Sequence, residues 1–235
     1  MILFYIRHGQ PIYNPDSLTE FGHQQAQALV KRMAECKPDK IYASSSNRAI
    51  QTAEPTARFL GKNIEILDWC NELYAWHEFT TEFADNKRTW AFNHQETREL
   101  FNSSEVRKLG KEWYLYPGLE KYEKGIKRIQ RETDAFMLQL GYQHDHETNC
   151  YIPVRPNNDR IALFAHQGFG VAFLSCLLDI PYPSFSMRCE MGHTGMTVIE
   201  FPGTERIVPT VLQLSNDSHL FAAGLPTDYQ GNLHF

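Results

Sequence analysis

Met1-Ile2-Leu3-Phe4-Tyr5-Ile6-Arg7-His8-Gly9 opens the chain. Residues 2–6 are an unbroken apolar run, and polar Arg7-His8-Gly9 ends it. The run is far short of the roughly 20 apolar residues that cross a bilayer. It also lacks the basic start and small-residue cleavage site of a secretory signal. A short continuous apolar run predicts a strand buried on both faces, opening into a loop at Arg7.

Working outward, strands and helices alternate. Thr19 is the predicted N-cap of a helix over residues 20–35, whose Ala26, Leu29, Val30 and Met33 form one apolar stripe. A second strand is predicted at 40–43. Ser44, Ser45 and Ser46 are the predicted caps of a helix running to Leu60 and closed by Gly61. Strands follow at 63–67 and 160–165, with an apolar helix at 169–178 and late strands at 195–201 and 206–214. This order predicts an α/β fold, a three-layer sandwich around a largely parallel sheet. Residues 11–17 and 143–158 read as irregular backbone. Residues 76–151 carry aromatic and charged side chains with little strand pattern. They are expected to form a helical lid insertion within a single domain of residues 1–235, and their clearest helix follows Pro117.

Composition narrows the function classes. Hydrophobic residues are 42% and charged residues 22% of 235, ordinary globular values. Lys and Arg total 23 against 28 Asp and Glu, a net charge of −5. Such a chain has no general field for nucleic acid or an anionic membrane, so a bound phosphate must be held by a local cation cluster. Five scattered cysteines without a CxxC spacing read as reduced thiols of a cytoplasmic protein. No pattern specifies an oligomeric state. His144-Asp145-His146 with Glu147 and Cys150 lacks a zinc spacing and reads as a solvated loop. Trp69, Trp76, Trp90 and Trp113 read as core, with an aromatic substrate wall as the alternative.

Ligands of open parallel sheets sit at the carboxyl ends of strands. Arg7-His8-Gly9 and His166-Gln167-Gly168 both occupy that position. Together with Asn14, with Arg48-Ala49 and Gln51-Thr52-Ala53 in the second helix, and with Asn71-Glu72-Leu73, they stand in a fixed order. The set resembles the histidine phosphatase superfamily, the phosphoglycerate mutase-like proteins. The family's Arg-His-Gly-Glu-Thr-x-x-Asn stands here as residues 7–14, and its late Ser-His-Gly-Gly as residues 165–168. Gln10, Pro11, Ser45 and Gln167 depart from the pattern.

The resemblance implies hydrolysis of phosphate monoesters through a phosphohistidine on His8, with Glu72 as the acid and no cofactor. Residue chemistry agrees. Arg7 and Arg48 are guanidinium forks suited to phosphoryl oxygens. His8 is the candidate nucleophile, and His166, once protonated, is a third cation. Neutralisation by these cations needs no metal. Asn14, Gln10 and Gln167 are expected at the substrate, a small phosphate ester or inorganic phosphate. One rival is phosphoglycerate mutase-type transfer. Mutases carry Arg where Leu73 stands, and also a Gly-Trp-x-Asp segment absent here. The other rivals are a non-catalytic phospho-ligand binder and a secreted acid phosphatase, and the latter normally has a signal peptide and paired cysteines.

Overall fold

Successive strand residues point to opposite faces. In β1 (Ile2–Arg7), Leu3 and Tyr5 enter one apolar cluster, while Phe4 and Ile6 enter another. The opening run is continuously apolar because both faces of this strand are covered. The computed structural model describes residues 1–83, 87–203 and 205–229.

After β1 comes a short hairpin, β2 (Pro11–Tyr13) with β3 (Asp16–Leu18), turning through a cis Asn14–Pro15 bond. Next are α1 (Glu20–Cys36), β4 (Lys40–Ser44), α2 (Asn47–Leu60) and β5 (Ile64–Leu67). Helix α3 (Glu72–Phe79) leads into a second hairpin, β6 (Thr80–Phe83) with β7 (Lys87–Trp90). Two short helices, α4 (Gln95–Phe101) and α5 (Ser104–Lys108), precede the long α6 (Glu123–Gln139). A third hairpin pairs β8 (Tyr142–Asp145) with β9 (Cys150–Pro153). The chain continues through β10 (Arg160–Ala165), α7 (Gln167–Leu177), α8 (Tyr182–Ser186), β11 (Met196–Glu200), β12 (Thr210–Asn216) and α9 (Ser218–Ala222).

Six strands form one sheet in the order β12-β11-β1-β10-β4-β5, and only β11 runs against the rest. Helices α1 and α2 cover one face, where Leu29, Met33, Ala53 and Ala57 meet Phe4, Ile41 and Phe164. Helices α6 and α7 cover the other. Tyr5 stacks on Phe173 at 5.6 Å, and Tyr42 meets Phe136 edge-on at 5.2 Å. The result is the expected three-layer α/β sandwich. Among the described residues no helix is long and apolar enough to cross a membrane.

Local details depart from the sequence reading. Thr19 caps α1 by accepting from the Gly22 N–H. Ser46 occupies the N-cap position of α2 but makes no side-chain cap bond. Asp16 does that work from the neighbouring hairpin, accepting from the Asn47 N–H at 2.8 Å and from Ser46 Oγ at 2.7 Å. Residues 11–17 and 143–158, expected to be irregular, contain the first and third hairpins. Their strands span three or four residues, too few for an alternation to stand out. The last strand starts at Thr210 and not Arg206, and is mostly exposed at the sheet edge. Residues 76–151 are not purely helical, since two hairpins lie within them. They also share one apolar cluster with the sheet, through Phe79, Phe101, Ile129 and Phe136. Trp90 and Trp113 are buried in this core, whereas Trp69 and Trp76 are partly buried and pack against it.

The third hairpin is pinned by His144. Its Nδ1 bonds Asp134 and its Nε2 bonds Asp179, both at 2.9 Å, and its ring stacks on Tyr151 at 4.4 Å. Lys111 also bonds Asp179. Burial alone would lower the His144 pKa, but the bonds to the two carboxylates outweigh it and hold the value at about 9. A folded-state pKa raised from 6.5 adds stability that is complete below 6.5 and lost as pH climbs to about 9. Urea unfolding midpoints should therefore fall between pH 6.5 and 9 by more in the native chain than in His144→Gln. Parallel pH profiles for the two proteins would refute this clamp.

Candidate active site

Strands β1 and β10 are parallel neighbours, with Arg7 opposite Ala165. One residue further on, His8 and His166 leave the sheet together. Their ring centroids are 5.1 Å apart, inclined at 61°. The His8 N–H donates to the Ala165 carbonyl at 2.9 Å, and the Tyr5 hydroxyl donates to the His166 carbonyl at 2.5 Å. On the far side of β10, β4 ends at Ser44, whose Oγ lies 2.8 Å from His166 Nε2.

Backbone contacts also set the His8 tautomer. Nδ1 lies 2.7 Å from the Gly9 carbonyl, which can only accept, so Nδ1 carries the proton. Nε2 keeps its lone pair, and Arg48 Nε donates to it at 3.3 Å. Burial pushes the His8 pKa well below 6.5, and His166, Arg7 and Arg48 push it further. Burial, Arg48 and Arg7 lower His166 in the same way. Both imidazoles are neutral at pH 7. Gly9 has no room for a side chain, because a Cβ there would sit 2.7 Å from the Gly22 carbonyl oxygen at the start of α1.

Arg7 is fully buried and held from two sides. Nη1 donates to the Met191 carbonyl at 2.6 Å, and Nη2 donates to His193 Nε2 at 2.9 Å. Arginine only donates, so His193 Nε2 bears the lone pair and Nδ1–H points to Asp228, 2.8 Å away. Burial and Arg7 lower His193 to about 4 despite Asp228, and the ring stays neutral. Asp228, His193 and Arg7 form a chain of alternating acceptor and donor. Among the described residues, buried Arg7 Nε has no hydrogen-bond partner.

Arg48 is the second residue of α2 and bridges two carboxylates. Nη1 pairs with Asp16 at 2.6 Å, and Nη2 with Glu72 at 3.1 Å. Glu72 begins α3, just after the cap residue Asn71. Its Oε1 accepts from the Gly168 N–H at 2.7 Å, and its Oε2 lies 3.6 Å from His166 Nδ1. Gly168 is obligatory here, since a Cβ would fall 2.2 Å from the Trp90 ring. His8, Glu72 and His166 offer three ligand atoms within 4.8 Å of one another. The adjacent guanidinium groups oppose a metal cation there and favour an anion.

Beside these groups opens a cavity of about 580 Å³, lined by Tyr13, Asp16, Arg48, Glu72, Trp76 and Trp90 among others. Arg7, His8, Arg48, Glu72 and His166 thus converge. The three residues expected at the substrate do not line this cavity. Asn14 is exposed on the turn of the first hairpin. Gln10 spends its side chain on Asp228 and Thr19. Gln167 accepts from the Met191 N–H, so it braces the loop that holds Arg7.

Asp16, His193 and Asp228 were not legible in the sequence. His193 precedes β11, the one antiparallel strand, so its amino end lies beside the carboxyl ends of the others. A polar residue before a late apolar strand was the available signal. Asp228 lies in a polar tail without periodicity.

A sequence profile of the histidine phosphatase superfamily (branch 1) matches residues 3–213. No curated protein sequence matches the chain. A phosphoserine phosphatase from Entamoeba histolytica, solved with 3-phosphoglyceric acid, is 20% identical over 93% of this chain and 98% of that one, with a TM-score of 0.59. A mycobacterial glucosyl-3-phosphoglycerate phosphatase, solved with VO3, is 18% identical over 90% of this chain and 97% of that one, with a TM-score of 0.56. At these identities the likeness is one of fold.

His193→Ala removes the acceptor that orients Arg7. Inorganic phosphate should then bind roughly tenfold more weakly by calorimetry, the scale of one charged hydrogen bond. His193→Gln, which supplies an amide oxygen, should lose less. Equal affinity in all three proteins would show that Arg7 needs no such support.

Proposed function

The chain belongs to branch 1 of the histidine phosphatase superfamily, and from that premise we propose that it hydrolyses phosphate monoesters through a phosphohistidine on His8. The observation that carries the reading is the state of His8: a buried neutral ring whose Nε2 lone pair faces the guanidinium of Arg48. The relatives solved with 3-phosphoglyceric acid and VO3 support a pocket of this fold that accepts phosphate-like groups.

The steps follow from the contacts. An arriving phosphoryl group draws the Arg48 donors toward its oxygens, which frees His8 Nε2. Arg7 and Arg48 neutralise the oxygens, and the anion's charge favours the protonated form of His166. Nε2 attacks phosphorus in line, the N–P bond forms and the bond to the ester oxygen breaks. Glu72, held beside the site by the Gly168 N–H, acts as the acid and gives a proton to the leaving alkoxide. Glu72 then takes a proton from water, which attacks phosphorus and returns His8. Positioned donors and charge carry most of the rate gain in phosphoryl transfer, with roughly 10²–10⁴-fold from the acid–base group. No metal enters, since the side-chain cations do the neutralising.

A binder without turnover is disfavoured, because a nucleophile, its tautomer lock and an acid are assembled together. A mutase is disfavoured by Leu73, which offers no cation to a second anionic group. We read the substrate as a small phosphate ester, and neither nucleic acid nor a membrane as a partner, given the net charge of −5. The reading of reduced thiols in a cytoplasmic enzyme rests on the five free cysteines.

His8→Ala should abolish phosphate release and the labelled phosphoenzyme seen after alkaline quench, a treatment the phosphohistidine N–P bond survives. Glu72→Gln should lower kcat by roughly 10²–10⁴-fold. Turnover that survives His8→Ala would refute the mechanism.

A further inference from the structure

The cavity beyond the phosphoryl site is defined by what its walls leave unpaired. Among the described residues lining it, Arg48 is the sole cation, and it is already flanked by Asp16 and Glu72. The Ser46 and Asn71 side chains are spent within the protein. Ser46 Oγ donates to Asp16, Asn71 Nδ2 donates to Ser45 Oγ, and Asn71 Oδ1 accepts from the Leu73 N–H. Nearby arginines are engaged as well. Arg128 forms a bidentate pair with Glu78, at 2.7 Å for each bond, and Arg88 pairs with Glu82 at 3.9 Å. A second anionic group on the substrate would therefore meet two carboxylates and, among the described lining residues, no spare cation.

What the walls do offer is aromatic. Trp76 and Trp90 meet edge to face with centroids 5.0 Å apart. Trp90 rests on Gly168, so this corner is braced from behind by backbone. Tyr13 also lines the cavity, with the Arg48 guanidinium 5.3 Å from its ring centroid. Leu73, 58% exposed, completes the apolar rim. A hollow of about 580 Å³ holds a phosphate together with one or two fused rings.

From this, and resting on the phosphatase reading above, we infer that the substrate is a phosphate monoester of an uncharged alcohol with a flat aromatic body, such as an arylalkyl phosphate or a nucleoside monophosphate, and not a phosphorylated carboxylic acid. Aromatic walls contribute dispersion and edge-to-face contact to such a body. They offer no positive charge to a carboxylate, which the acidic rim repels.

The test compares 2-phenylethyl phosphate and adenosine 5′-monophosphate with 3-phosphoglycerate and O-phosphoserine. All four are esters of primary alcohols, so intrinsic leaving-group strength is nearly matched. At least one aromatic ester should exceed both acids in kcat/KM by roughly 100-fold. Preference for adenosine 5′-monophosphate points to a nucleoside, and preference for the arylalkyl ester to a simpler arene. Trp76→Ala should raise KM for the preferred ester roughly tenfold and leave kcat nearly unchanged, the signature of a lost binding contact. Leu73→Arg should raise kcat/KM for 3-phosphoglycerate roughly tenfold, since it adds the missing cation. If the acids match or exceed the aromatic esters while turnover still requires His8, the specificity inference falls and the phosphatase reading stands. If the native protein hydrolyses none of the four or any other ester, both fall.

Discussion

Two guanidinium groups and two imidazoles are buried side by side, and their mutual repulsion governs the site. A buried cation is costly, and each added cation makes the next costlier. Arginine cannot shed its proton, so the histidines do. Both His8 and His166 are driven to the neutral form by burial and by the arginines. The outcome suits the chemistry, because a nucleophilic imidazole must be unprotonated. An anion placed among these groups relieves the repulsion, so the site favours negative charge.

The remaining charges are balanced by carboxylates at chosen distances. Asp16 and Glu72 hold Arg48 directly, whereas Asp228 reaches Arg7 only through His193. This difference separates two duties. Arg48 has partners at the cavity wall that an anion can displace. Arg7 is fastened to the Met191 carbonyl and a neutral ring deep in the fold, and it serves as a fixed positive charge.

The segment between α3 and β9 joins the site to the core. Helix α6 is a layer of the sandwich, and its Phe136 packs against Tyr42 of β4. The same segment supplies Trp76 and Trp90 to the cavity wall. A wall continuous with a close-packed interior moves little, so the space beyond the phosphoryl site has a defined shape.

Local pattern in the sequence determined the alternating strands and helices, the cap at Thr19 and the doubly buried first strand, because period and capping depend on near neighbours alone. It also brought forward Arg7, His8, Arg48, Glu72 and His166, whose residue types suit phosphoryl chemistry. Tertiary structure alone decided who stands beside whom. The parallel pairing of β1 with β10 places His8 against His166, though 158 residues separate them in the chain. The antiparallel turn of β11 delivers His193 to Arg7, and the hairpin at Asn14–Pro15 swings Asp16 onto Arg48 and turns Asn14 outward. Gln10 and Gln167 have the right chemistry for substrate, but buried backbone and carboxylate groups claim them first. Which partner a polar side chain takes depends on groups distant in sequence that folding brings within 3 Å, and local periodicity carries no record of them.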